Sequence, residues 1–135
     1  DEKSENWIYV DTKNNKDKNI LTGNLDQFHA VTIIQDLVSP KILKTYPANG
    51  GFYDRKDVKK IIIDVEDSIS GIEPKEESFT VKLNGNRLFC AYQPVKKQIT
   101  YEFERGMSKG DHLIDIIIKD RVGNKTNKSI SFTCN

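Results

Sequence analysis

Histidine and cysteine are the side chains best suited to grip a transition metal or attack a carbonyl, and this chain of 135 residues has two of each. His29 and His112 sit far apart, with no His-x-His or His-x-x-x-His spacing to hold zinc. Each reads as a packed or surface side chain. Cys90 and Cys134 are spaced for neither a zinc site nor a redox pair. Cys90 alternates with Leu88 and Tyr92, and Cys134 with Phe132 and Ile130, which puts both on the buried period of a strand. Free buried thiols are the first expectation; a disulfide between them is the alternative and requires an oxidising compartment. No serine lies in a nucleophile-elbow pattern, and two histidines leave little choice of base. Gly50-Gly51 lacks the Gly-Lys-Ser/Thr ending and the helix of a phosphate loop, so it reads as a turn. No catalytic residue, no cofactor-binding residue and no cofactor are expected.

One acidic constellation depends on topology. If the strands of a sandwich alternate in direction, the turns at 67–77 and 120–127 fall at the same pole as Ser39-Pro40. That gathers Asp36, Asp67, Glu73, Glu76, Glu77 and Asp120. Calcium takes about 6–8 oxygen ligands in flexible geometry, so Asp67, Glu73 and Asp120 are calcium candidates. Against this, the acids lack Asp-x-Asp spacing, and Arg55, Lys75, Arg121 and Lys125 could neutralise them. The expectation is no zinc and at most weak calcium, with the acids capping turns.

The elements that would position these residues are strands. Asp120-Arg121-Val122-Gly123-Asn124 follows the apolar run His112 to Lys119, and reads as a strand that stops at an Asp and turns through a Gly. Ile61 to Asp67, followed by Ser68-Ile69-Ser70-Gly71-Ile72, repeats the pattern upstream. Phe79, Val81 and Leu83 alternate with polar residues and end at Asn84-Gly85, a strong hairpin signal. Ile99, Tyr101 and Phe103 form a half-buried face, and Ile114, Ile116 and Ile118 form the better core face of their strand. Strands are expected at about 41–46, 58–66, 78–84, 87–93, 98–104, 112–119 and 128–134, with single turns as the only helix. This is the pattern of an all-β, immunoglobulin-like antiparallel β-sandwich of about seven strands. Upstream, Trp7 to Val10, Ile20-Leu21 and Phe28 to Ile34 read as further strands, with Asp11 to Asn19 as a polar loop. Ser39-Pro40 divides a 1–38 N-terminal β segment from a 39–135 sandwich.

Composition narrows the function classes. With 21 Lys+Arg against 20 Asp+Glu, the net charge of +1 gives no global attraction to nucleic acid or anionic membrane. A hydrophobic fraction of 36% suits a thin two-sheet core. No apolar stretch approaches the roughly 20 residues of a membrane span, so membrane insertion is not expected. The signal-peptide pattern is missing, which fits either a cytosolic chain or a mature or excised fragment. A glycan-binding face would need exposed aromatics as a platform, for which Trp7, Tyr46, Phe52, Tyr53 and Tyr92 are the candidates.

Asp67-Ser68-Ile69-Ser70-Gly71-Ile72, Val81-Lys82-Leu83-Asn84-Gly85, Gly110-Asp111-His112-Leu113 and Asp120-Arg121-Val122-Gly123-Asn124 together resemble bacterial immunoglobulin-like or fibronectin type III-like modules near the C-terminus of large envelope proteins. Trp7-Ile8-Tyr9-Val10, Leu25-Asp26-Gln27-Phe28 and Asp36-Leu37-Val38-Ser39-Pro40-Lys41-Ile42 resemble the connector into such a module in some lysostaphin-like zinc peptidases of the cell wall. The catalytic His and Asp ligands of that family have no counterpart here. The resemblance implies a non-catalytic accessory or spacer module of a secreted or cell-envelope protein. Its partners would be an upstream domain of the same polypeptide, and a cell-surface glycan or a protein.

Overall fold

Strand formation follows the apolar alternation. In the computed structural model, which describes residues 9–25 and 31–135, Ile61, Ile63 and Val65 point inward from one strand and Ile114, Ile116 and Ile118 from another. The chain divides into two compact units, Asp1–Gln35 and Asp36–Asn135.

Within the first unit, β1 (Thr12–Asn15) and β2 (Ile20–Gly23) pair as an antiparallel hairpin. The expected polar loop at Asp11 to Asn19 is therefore half strand. Every residue of both strands is exposed, so the backbone ladder forms without the alternation by which a strand is recognised. Tyr9, Val10 and Val31 to Ile34 carry no strand, against expectation; Trp7, Ile8, Phe28 and His29 lie outside the described residues. Val31, Ile33 and Ile34 are exposed, and β-branched composition favours a strand only where a pleated, half-buried surface receives it.

The second unit contains β3 (Lys41–Tyr46), β4 (Gly51–Tyr53), β5 (Lys60–Glu66), a 3₁₀ turn (Glu76–Ser78), β6 (Phe79–Leu83), β7 (Asn86–Leu88), β8 (Ala91–Gln93), β9 (Gln98–Glu102), β10 (Gly110–Lys119) and β11 (Lys125–Cys134). They form a five-stranded sheet, β4-β11-β10-β6-β7, and a four-stranded sheet, β3-β5-β9-β8. All neighbours are antiparallel except β4 and β11. The fold is thus an all-β, immunoglobulin-like sandwich.

One expected strand divides where the alternation suggested no division. The strand foreseen at 87–93 breaks at Phe89-Cys90, where the chain leaves β7 in one sheet and joins β8 in the other. Cys90 is accordingly not a strand residue. The strand expected at 41–46 is β3 with those bounds, but an unforeseen strand follows it: the chain turns through Pro47 and Gly50 and adds β4 to the opposite sheet. The register of β3 against β5 slips between Ile42 and Lys44, so Leu43 bulges outward and Thr45 is buried. The Asn84-Gly85 turn closes as read, with positive φ at both residues.

The core lies between the sheets. Ile61, Ile63, Val65 and Ile99 meet Val81, Ile114, Ile116, Ile118, Ile130 and Phe132, and most of these are fully buried. Each such side chain gains about 1.5–3 kcal/mol from leaving water, most of which offsets the entropy of ordering the chain.

Candidate functional site

Three segments converge where β5 and β10 end and β3 begins. Asp67 follows β5, and its Oδ1 accepts the backbone N–H groups of Ile69 at 3.1 Å and Gly71 at 2.9 Å. Asp120 follows β10 and repeats the device: Oδ1 accepts from Val122 at 3.0 Å and Asn124 at 2.9 Å. Both are Asx-type turns, in which a short carboxylate takes up amides that no ladder can use. Asp36 precedes β3, and its Oδ1 accepts from Val38 at 2.9 Å while its Oδ2 accepts from Ser70 at 3.0 Å.

Cross-links hold the three segments together. Arg121 N–H donates to the Gly71 carbonyl at 3.0 Å. The Asn124 side-chain amide donates to Asp120 Oδ2 at 2.7 Å and to the Asp36 carbonyl at 3.1 Å. The Thr126 hydroxyl donates to the Pro40 carbonyl.

The result is a triad of carboxylates. One oxygen from each of Asp36, Asp67 and Asp120 lies within 4.8 Å of the other two. Burial tends to raise the Asp36 carboxyl, but the nearby Ser70 hydroxyl and the amides of Val38 and Ser70 outweigh it, and the group ends below its ordinary value. The Ser70 hydroxyl exerts this influence without reaching hydrogen-bond geometry. Asp67 moves the other way: burial raises it, its two amide donors pull it down, and the charges of Asp36 and Asp120 raise it again, for a net rise. The repulsion within the triad therefore falls on Asp67.

Of the sequence candidates, Asp67 and Asp120 meet and Glu73 does not join them. Glu73 is half-exposed and pairs with Lys75 at 2.8 Å, which holds its carboxyl below the usual range. Asp36 takes the third place. Glu76 pairs with Arg87 at 3.6 Å, away from the triad. Nor does Arg55 neutralise the cluster, because it precedes β5 and lines a groove with Lys56, Lys59 and Arg105 at the far end of that strand.

The remaining reactive side chains are occupied or inert. Asn84 Oδ1 accepts the Leu113 N–H at 2.9 Å, which turns its Nδ2 towards His112 Nδ1, also at 2.9 Å. His112 Nε2 then carries the proton and donates to the Ser108 carbonyl at 2.8 Å. Both ring nitrogens are used, and the ring stacks on Phe132. Cys90 and Cys134 are free thiols. Burial pushes both up, Cys90 to about 11, which suppresses the thiolate.

The aromatic candidates form no flat platform among the described residues. Tyr46 and Tyr53 meet edge to face, with ring centroids 5.5 Å apart and planes at 76°. Tyr92 is half-buried against Phe79, while Phe52 is exposed by itself on its edge strand.

Fold and site thus define an immunoglobulin-like β-sandwich that gathers three turn-capping carboxylates at one end. No family model and no curated protein matches the chain. Solved structures share the fold: CopC from Methylosinus trichosporium OB3b superposes with a TM-score of 0.56 at 13% identity, over 71% of this chain and 93% of that one. PcoC, a methionine-rich copper resistance protein from Escherichia coli, gives 0.56 at 11% identity, over 73% and 100%. Dimeric latent PorU from Porphyromonas gingivalis gives 0.54 at 16% identity, over 73% of this chain and 10% of that one. Among the described residues, no helix is long and apolar enough to cross a membrane.

Proposed function

We propose that this chain is a non-catalytic accessory module of a larger secreted or cell-envelope bacterial protein. The observation that carries this reading is how the polar side chains are used. Asp36, Asp67, Asp120, Asn84, Asn124 and His112 all hydrogen-bond backbone groups, as struts of the fold do. The hydroxyls that donate to carboxylates, Ser129 to Asp115 and Thr133 to Asp111, do so at exposed positions of the β10–β11 ladder, and burial holds the thiols protonated. The likeness to PorU adds support, since there the same sandwich amounts to 10% of a long chain.

The copper resistance of the structural neighbours does not come across with their fold. PcoC is methionine-rich, whereas this chain has one methionine, Met107, buried in the core. His112 has no free ring nitrogen, and the one convergent ligand group among the described residues offers only carboxylate oxygens. Copper prefers imidazole, thiolate and thioether donors.

Two measurements test the proposal. Fractionation of cells expressing the full-length protein places it with periplasmic, surface or secreted markers; recovery with cytosolic markers overturns that part. Deleting residues 36–135 from the full-length protein leaves turnover of a small soluble substrate of the parent unchanged. A loss of kcat in a folded deletion variant overturns the non-catalytic assignment.

A further inference from the structure

Three carboxylates face one another at this end of the sandwich, and the charges of Asp36 and Asp120 raise the Asp67 carboxyl. The charges acting on Asp67 are its two acidic neighbours. A cation held between the three would reverse that balance.

The geometry admits one. Calcium binds oxygen at about 2.3–2.6 Å, so two ligands of the same ion stand at most about 5 Å apart. The Asp36, Asp67 and Asp120 oxygens lie within 4.8 Å of one another. A separate observation concerns a group that is not an acid. Ser70 is 3% exposed, its N–H is bound to Asp36 Oδ2, and its Oγ lies close enough to that carboxylate to lower it but has no partner in full hydrogen-bond geometry. Asp67 Oδ2 is also buried without a partner, while Oδ1 is committed to two amides. Buried polar oxygens without partners are costly and uncommon, and an ion coordinated by oxygen satisfies both at once.

We infer that Asp36, Asp67 and Asp120, assisted by the Ser70 hydroxyl, bind one calcium ion at this end of the sandwich. Asp67 Oδ2 is the uncommitted ligand. The other carboxylate oxygens keep their amide partners and still have a lone pair for the ion, since each oxygen can accept more than once. Water completes the shell. The ion clamps together the lead into β3, the turn after β5 and the turn after β10. Calcium is favoured over magnesium, which demands near-ideal octahedral geometry at about 2.0–2.1 Å and gives up its waters reluctantly.

The test is calcium titration of the full chain after exhaustive dialysis against EDTA, by calorimetry and by thermal melting. The expected result is a single site and a rise of several degrees in Tm at millimolar calcium, with much less from magnesium. Asp67→Asn keeps an Oδ1 acceptor for the turn but removes the anionic ligand; it should melt in EDTA at or above the wild-type temperature and lose the calcium response. Ser70→Ala should weaken binding several-fold, and Glu73→Gln should leave it intact. Superimposed wild-type melts with no heat of binding would overturn the site. So would a calcium response that survives in Asp67→Asn, which would place the ion elsewhere. A third outcome, indifference to calcium with a gain of wild type over Asp67→Asn on mild acidification, would show that a shared proton relieves the triad, and also overturns the proposal.

Discussion

The Asp36 carboxylate accepts the backbone N–H of Ser70 at 3.0 Å across 34 residues of sequence. This bond ties the lead into β3 to the turn after β5, and it brings the third acid beside Asp67. Structure and charge are therefore coupled at one residue.

Replacing Asp36 with alanine tests both roles. The buried Ser70 N–H and the Val38 N–H lose their acceptor, which should lower stability by about 1–3 kcal/mol in urea denaturation. The Asp67 carboxyl, relieved of one negative neighbour, should titrate closer to its ordinary value. NMR observation of the side-chain carboxyl carbon reads this directly. An unchanged urea midpoint would show that the Asp36 bonds are incidental.

The turn after β10 makes a purely conformational prediction. Gly123 has φ +94, and a Cβ placed there would meet nothing within 4 Å. Space is available, so any penalty must come from the backbone. Gly123→Val should cost about 1–3 kcal/mol, because a β-branched residue is strained at positive φ. Equal urea midpoints for the variant and the wild type would exclude that reading.

Two neighbours in β10 test the assignment of faces. Ile116 is 1% exposed in the core and Ile117 is 39% exposed on the outer face. Ile116→Ala should cost about 2–5 kcal/mol through lost burial and the cavity left behind. Ile117→Ala should cost about 1 kcal/mol or less. Comparable losses from both would mean that a partner covers the outer face.

What was legible in the sequence was local. Ile114, Ile116 and Ile118 announce their buried face because alternation is a property of a single strand, and Asn84-Gly85 announces its turn because positive φ is a property of the residues in it. Asp67 and Asp120 were recognisable as turn caps for the same reason. The switch of sheets at Phe89-Cys90 was hidden, since alternation from Leu88 to Tyr92 is the same whichever sheet receives it. Ile20-Leu21 marked β2, whereas β1 was hidden because Thr12 to Asn15 are polar and bury neither face. Asp36 stands among the acids that topology gathers at this pole but not among the calcium candidates, where Glu73 stands instead. Nothing local separates the two: Glu73 pairs with Lys75, while Asp36 reaches the triad through long-range bonds to Ser70 and Asn124.

The pH dependence of Asp67 follows from its surroundings. Burial raises its carboxyl above the ordinary 3.8, against the amides of Gly71 and Ile69, and Asp36 and Asp120 raise it further. A carboxyl raised on folding stabilises the native state when protonated; that contribution is complete below 3.8 and fades as pH rises through the folded value. Asp36 shifts in the opposite sense, so the total stability curve mixes the two, and the comparison with Asp67→Asn isolates one. In EDTA, wild type should therefore lose ground to Asp67→Asn as pH rises from below 3.8 towards neutrality, and the gap should then level off. Urea midpoints for both proteins across that range provide the measurement. A relative gain for wild type with rising pH would mean that the two amide bonds to Oδ1 outweigh burial and repulsion. With calcium present the slope should reverse, because the ion binds the carboxylate and competes with the proton.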